Sequence, residues 1–360
     1  MAKKHQKKEV SKENEPSKLK KILLIPVPLY LTVSIVLGLI LLSSFLYGIK
    51  KTDRKNLKET EQSLDDGPCS TLIRQSDTGL IRPLLLVESS KEEAAIVPAK
   101  VKISDYINQK IQQGVLTTAS VYLNDLNTAS HFEINPDELY DPASIMKVPM
   151  MIIFLKQARE KPELLKQKIF YKERFSKFYS ATIKSKTITP GKSYTIEELL
   201  YSMIAYSDNE AFWLLVENVD TKEFEKLNED IEIPLVTDNK QHGTNGANFV
   251  ATVHSISKFF RILYNASYLG RRMSRLALEL LSKSDYKDGL LKGINPSITV
   301  AHKFGEREED NMAQLHEFGI FYIQKRPYLL GVMTKGRDKN KLNQVLADIS
   351  GIAFDEMNGH

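Results

Sequence analysis

Cysteine is almost missing from this sequence: Cys69 is the only one in 360 residues. A single cysteine excludes an intramolecular disulfide framework and a Cys-rich zinc site. It leaves an extracellular location open, because a chain of this size buries a core that needs no covalent staple. A large excess of one charge is also lacking. The 50 Lys and Arg stand against 45 Asp and Glu, a net +5 that gives no argument for a nucleic-acid partner. Hydrophobic residues at 42% and charged residues at 26% exclude a fully disordered or collagen-like chain. No internal repeat is visible, and no metal or other cofactor is expected.

Charge is distributed unevenly. Residues 1–21 hold eight lysines and three glutamates, whereas Ile22–Ile49 carries no charge over 28 residues. About 20 apolar residues cross a bilayer, so this segment is long enough to span with tilt. The apolar part of a cleaved signal peptide is shorter, about 7–15 residues. Tyr30 and Tyr47 lie near its ends, where interfacial aromatics are common. We therefore expect a basic cytoplasmic tail (1–21), one transmembrane helix (22–49), an extracytoplasmic stalk (50–97) and a catalytic domain (98–358). Lys50, Lys51, Arg54, Lys55 and Lys58 follow the span, but the eight lysines before it outnumber them. That balance favours the amino end inside and the domain outside the cell membrane. Cys69 lies some way beyond the span, too far to be a lipidated cysteine at a signal junction.

Within the domain, periodicity reads as follows. Val101–Gln113 is a helix, and Ala119–Leu126 and Ala129–Ile134 are two strands joined by a turn at Asn124–Asn127. Ser144–Glu160, Ile196–Ala205, Asn209–Val219, Val253–Tyr264 and Arg271–Leu281 are helices. Ile298–Lys303, Gln314–Ile323 and Tyr328–Thr334 are strands, and Lys339–Ile352 closes the chain as a helix. A sheet split by a long helical insertion is an α/β (α+β) three-layer architecture, with an antiparallel sheet of about five strands.

Three short motifs carry chemistry. Ser144-Ile-Met-Lys147 is an S-x-x-K pattern at the start of an apolar helix. Positions i and i+3 share a helix face, so Lys147 can reach the Ser144 hydroxyl. A serine hydroxyl becomes a nucleophile when an adjacent base takes its proton, and apolar surroundings favour the neutral amine that this base must be. Ser17/Lys20, Ser255/Lys258 and Ser284/Lys287 share the spacing without that context; they read as caps and solvated lysines. Ser207-Asp208-Asn209 occurs once, between two helices. His302-Lys303-Phe304-Gly305 lies at the end of an expected strand.

In this order the three motifs resemble those of class A β-lactamases and penicillin-binding proteins, S-x-x-K, S-D-N and K-T-G. The likeness covers about residues 98–358. It extends to Tyr140-x-Pro-Ala-Ser-x-x-Lys, to Thr195-Ile-Glu-Glu-Leu-Leu and to the strands around Gly319 and Tyr328. The resemblance implies a serine hydrolase of this superfamily with Ser144 as nucleophile, Lys147 as its base and Ser207 as proton relay. Asn209 and Lys303 would bind substrate, with Gly305 beside them, and the backbone N–H groups of Ser144 and Glu306 would form the oxyanion hole. Substrates would be β-lactams or peptidoglycan peptides of a bacterial cell envelope.

Two departures stand out. Phe304 replaces the threonine whose hydroxyl holds the substrate carboxylate, and phenylalanine donates no hydrogen bond. Leu235–Asn248, where class A enzymes carry a deacylating glutamate, contains none. Asp238 and His242 are its candidate bases. Glu225 lies on a preceding helix and reads as a solvated residue. His316 and Glu317 read as structural. Acylation is therefore expected to be competent and deacylation slow. The alternatives are a penicillin-binding-type D,D-peptidase and a non-catalytic wall-binding module. The second has no use for an intact nucleophile set.

Overall fold

The computed structural model describes residues 72–74, 84–87, 95–175, 186–230, 236–237, 249–309, 311–324 and 326–359. The chain divides into Met1–Gly67 and Pro68–His360, and every described residue belongs to the second unit. The basic tail, the uncharged segment 22–49, Cys69 and most of loop 235–248, with Asp238 and His242, lie outside the described residues. Among the described residues, no helix is long and apolar enough to cross a membrane.

Inside the stretch expected to be a stalk, β1 (Leu72–Arg74) and β2 (Leu84–Val87) pair antiparallel. Helix α1 (Val97–Gln112) starts four residues before the expected Val101, with Pro98 in its first turn, where a missing N–H costs nothing. Strands β3 (Thr118–Asp125) and β4 (His131–Ile134) follow, then a 3-10 turn at Ala143–Met146 and helix α2 (Lys147–Glu160). A small sheet of β5 (Lys168–Tyr171) and β6 (Lys192–Thr195) leads into helices α3 (Ile196–Ala205), α4 (Asn209–Val216) and α5 (Thr221–Asp230). After β7 (Val236–Thr237) and β8 (Phe249–Val250) come α6 (Val253–Tyr264) and α7 (Gly270–Leu281). The chain ends with β9 (Val300–Glu309), β10 (Met312–Phe321), β11 (Tyr328–Gly336) and α8 (Lys339–Asn358).

Five of these strands form one antiparallel sheet in the order β4-β3-β11-β10-β9. Strand alternation sorts its side chains between two cores. Val121, Leu123, Leu330 and Val332 face α1 and α8, where they bury Ile103, Ile107, Leu342 and Leu346. Tyr122, Phe318, Ile320, Leu329 and Met333 join the opposite core, made by α2, α3, α6 and α7. The result is helix, sheet and helix in three layers, as the pattern of elements implies.

The largest difference from the sequence reading is in β9. It does not end at Lys303: it pairs with β10 through Glu309, opposite Met312. Gly305 lies in mid-strand opposite His316 and breaks nothing, because the ladder on β10 holds its backbone extended. The first hairpin turns later than Asn124–Asn127. The Asp125 carboxylate accepts from Asn127 N–H (2.8 Å) and Asn124 reaches forward to the carbonyls of Ala129 and Ser130 (3.0 and 3.1 Å). Helix α4 stops at Val216 rather than Val219, and α8 runs six residues beyond Ile352.

Helix α3 aims the chain at the second motif, and its start is fixed locally. The Thr195 hydroxyl accepts from Glu198 N–H (3.1 Å), while the Glu198 carboxylate accepts from Thr195 N–H (2.7 Å), a reciprocal cap. Thr195→Ala should lower unfolding stability by about 1 kcal/mol in a denaturant titration, and should leave the rate of Ser144 modification unchanged.

Candidate active site

Ser144 sits in the 3-10 turn, and α2 begins at Lys147 rather than at Ser144. The turn is tightly specified. Ala143 has a positive φ of 48°, a conformation that costs an L-residue free energy and persists where neighbours impose it. Its N–H donates to Asp141 Oδ1 (2.8 Å), and Ile145 N–H donates to the Pro142 carbonyl (3.0 Å). Below the turn, His316 Nε2 donates to the Asp141 carbonyl (3.0 Å), and its Nδ1 accepts from Thr334 N–H (3.2 Å). These partners require the neutral imidazole with its proton on Nε2. Burial agrees, pushing the His316 pKa down to about 3. His316 is thus a fixed strut between the sheet and the turn that carries Ser144.

Strand β9 passes this turn at Gly305. A Cβ there would meet the Pro142 carbonyl oxygen at 2.6 Å and Ile145 N at 3.1 Å. Glycine is what lets the strand reach the turn carrying Ser144.

Lys147 is 2% exposed. Its Nζ lies 2.9 Å from Ser144 Oγ, 2.6 Å from Asn209 Oδ1, 2.8 Å from the Ser207 carbonyl and 3.2 Å from Ser207 Oγ. All these partners are neutral. An ammonium buried without a carboxylate partner is poorly stabilised, so burial lowers the Lys147 pKa to about 7. A sizeable share of the amine is then neutral near pH 7 and can accept the Ser144 proton.

Ser207 also has a positive φ, 51°. Its Oγ lies between two amines, Lys147 and Lys303, the latter at 2.8 Å. Lys303 is fully buried; its Nζ also bonds the Phe304 carbonyl (2.9 Å) and lies 4.2 Å from the Phe304 ring centroid. Burial and the neighbouring Lys147 both lower the Lys303 pKa well below that of a free lysine. The structure therefore brings Ser144, Lys147, Ser207, Asn209 and Lys303 together, with Gly305 against the turn. The Glu306 side chain turns to Lys339 on α8, with Nζ–Oε2 at 2.9 Å.

The second motif is held by its own carboxylates, which sequence reading gave no role. Asp208 accepts from Thr187 Oγ1 (2.7 Å), Ile188 N–H (2.9 Å), Ser202 Oγ (2.9 Å) and Glu210 N–H (3.0 Å). Glu210 accepts from Tyr171 Oη and Phe175 N–H. Two further features had no signal in sequence. Tyr286 stacks on Phe304 with centroids 4.1 Å apart. A buried Glu317 carboxylate takes hydrogen bonds from His302 Nδ1 (2.7 Å) and Leu290 N–H (2.8 Å).

The remaining candidates lie elsewhere. Glu225 is exposed on α5. Lys287 Nζ bonds the Ser284 carbonyl rather than its hydroxyl, and the Ser255 hydroxyl bonds Thr252. Among the described residues, no group of three His, Cys, Asp or Glu side chains is placed to hold a metal ion.

The beta-lactamase enzyme family matches residues 100–357. The chain belongs to that family. It is a serine hydrolase of the β-lactamase type. Solved structures repeat the fold at low identity. PBP-A superposes with a TM-score of 0.60 at 17% identity, covering 73% of this chain and 96% of its own. The extended-spectrum β-lactamase TLA-1 gives 0.61 at 13% identity, covering 72% and 99%. A β-lactamase from Sphaerobacter thermophilus gives 0.60 at 17% identity, covering 72% and 98%. No curated protein matches the sequence.

The geometry predicts a pH profile. A base must be unprotonated, and the neutral fraction of Lys147 rises as pH rises through about 7. The rate of Ser144 modification by an activated ester should climb on the acid side and level off above that point. Mass spectrometry of the labelled protein across the range checks this; a flat profile would remove Lys147 as the base.

Proposed function

We propose that this chain is a membrane-anchored serine hydrolase that is acylated at Ser144 by β-lactams or related amides and deacylates slowly. The observation that carries the reading is the 2.9 Å contact between Ser144 Oγ and a buried lysine amine whose hydrogen-bond partners are all neutral.

The steps follow from the contacts. Lys147 Nζ takes the Ser144 hydroxyl proton as Oγ attacks the carbonyl carbon. The oxyanion would be received by the backbone N–H groups of Ser144 and Glu306, the role that the family resemblance gives them. The C–N bond then breaks. The leaving nitrogen takes a proton from Ser207 Oγ, which recovers one from Lys147 across their 3.2 Å contact. Lys303, 2.8 Å from the same oxygen, favours the anionic character that Ser207 acquires in passing. Asn209 fixes Lys147 through its Oδ1 and has an amide NH₂ free to face the acyl side chain. The product is an ester at Ser144. One PBP-A mutant is described as an acyl-enzyme complex with penicillin G, which supports acylation of this kind on the fold.

Slow deacylation rests on sequence. Leu235–Asn248 has no glutamate, and Glu225 is exposed on α5. Loss of a general base costs about 10²–10⁴-fold in the attack of water. This same lack favours the second reading, a D,D-peptidase acting on stem peptides of the cell wall, in which an amine rather than water resolves the ester.

With a chromogenic cephalosporin, product release should show a burst of one equivalent per site followed by slow turnover, with the adduct visible by intact mass. Ser144→Ala should abolish both. Fast linear hydrolysis with no detectable adduct would overturn the slow step.

Topology is tested separately. The uncharged segment 22–49 and the lysines before it support an orientation with residues 50–360 outside the cell. Protease added to intact cells should remove the domain and leave the amino tail. A soluble product starting near residue 50 would refute an anchor.

A further inference from the structure

The region beside Ser207 and Lys303 lacks the hydroxyl donor that the family resemblance leads one to expect. Phe304 replaces a hydroxyl donor with an aromatic ring, and that ring is built in rather than loosely placed. It is 5% exposed and stacks on Tyr286. Tyr286 is anchored in turn by its Oη bond to Asn343 on α8. The segment carrying it is pinned by Glu317, whose carboxylate accepts from Leu290 N–H and lies where any Cβ on Gly289 would stand.

The cations nearby are already engaged. Lys303 is fully buried, with its Nζ on Ser207 Oγ, on the Phe304 carbonyl and over the Phe304 ring. Lys339 is paired with Glu306 at 2.9 Å. Arg307 lies 3.7 Å from Asp141 and 3.2 Å from Glu309. A substrate carboxylate placed here would give up water beside an aromatic ring and compete for Lys339 and Arg307 with carboxylates that these cations already hold. It would also lie near the Glu306 carboxylate. Desolvation of an anion without a partner is strongly unfavourable, whereas an ester or carboxamide loses far less.

We propose that Phe304 is a specificity-determining residue that selects acyl donors whose leaving side carries no carboxylate, such as neutral lactams, esters and amidated peptides. This rests on acylation at Ser144, as proposed above, and narrows its substrate class.

The test uses the full-length chain in detergent and a matched pair of reagents, a cephalosporin free acid and its methyl ester. Acylation rates at Ser144 are read by intact mass and normalised to the alkaline hydrolysis rate of each reagent. The wild-type protein should react with the ester at least as fast as with the acid. Phe304→Thr should shift the ratio towards the acid by at least tenfold, while Phe304→Leu, which removes the stacking but adds no donor, should not. A wild-type preference of tenfold or more for the acid would overturn the proposal, and the wild-type measurement decides this even if the variants fail to fold. An unmoved ratio in a folded Phe304→Thr variant would overturn it as well. No adduct from either reagent or from a neutral p-nitrophenyl ester would overturn the serine-hydrolase reading itself, and this proposal with it.

Discussion

Burial of the Lys147 amine is the constraint on which the site rests. A lysine side chain in water stays charged and can take no proton from serine. Here the amine is enclosed by Ser144, Ser207 and Asn209, which offer oxygen atoms but no counter-charge. The desolvation penalty falls on the ammonium alone, so the equilibrium moves towards the free base. A second buried lysine, Lys303, shares Ser207 with it, and burial together with the neighbouring Lys147 lowers the Lys303 pKa in turn. A carboxylate in contact with either amine would restore the charge and remove the base. The carboxylates of the second motif are instead directed away: Asp208 and Glu210 bind backbone and hydroxyl donors of residues 171–188 and 202.

Two of the positions where the backbone is forced lie in the site. Ala143 and Ser207 both adopt positive φ, the first beside Ser144 and the second in contact with Lys147. Each such residue costs about 1–3 kcal/mol, which a well-packed surround must offset. The surround is visible in both cases. His316 and Asp141 hold the turn before Ser144, and the Asp208 hydrogen bonds hold the turn at Ser207. Strand β9 completes the arrangement only because Gly305 has no side chain. The three motifs are therefore three surfaces of one small volume, brought together by the two helical turns and an edge strand.

Much of this was legible in the sequence for identifiable reasons. Helices α3 and α6 match their expected ranges, because a Thr cap precedes each and the apolar period is sustained. The layered architecture follows from a sheet split by a long helical insertion. The contact between Ser144 and Lys147 follows from spacing alone, and it survives although the first turn is 3-10 rather than α. Boundaries failed where non-local pairing overrides local pattern. Gly305 and the charged run Glu306–Glu309 look like the end of a strand, but the ladder with β10 carries β9 through them.

The sequence by itself determined the family, the order of the elements and the chemical types in the site, since these depend on local periodicity and on motifs of fixed spacing. Tertiary structure decided which charges are neutralised and which are stranded. That Lys147 lacks an acid partner, that Glu306 pairs with Lys339 and that Phe304 rests on Tyr286 are all contacts between residues 18 to 62 positions apart. Pairings over such distances are set by packing of the sheet and its helix layers, and no local pattern encodes them.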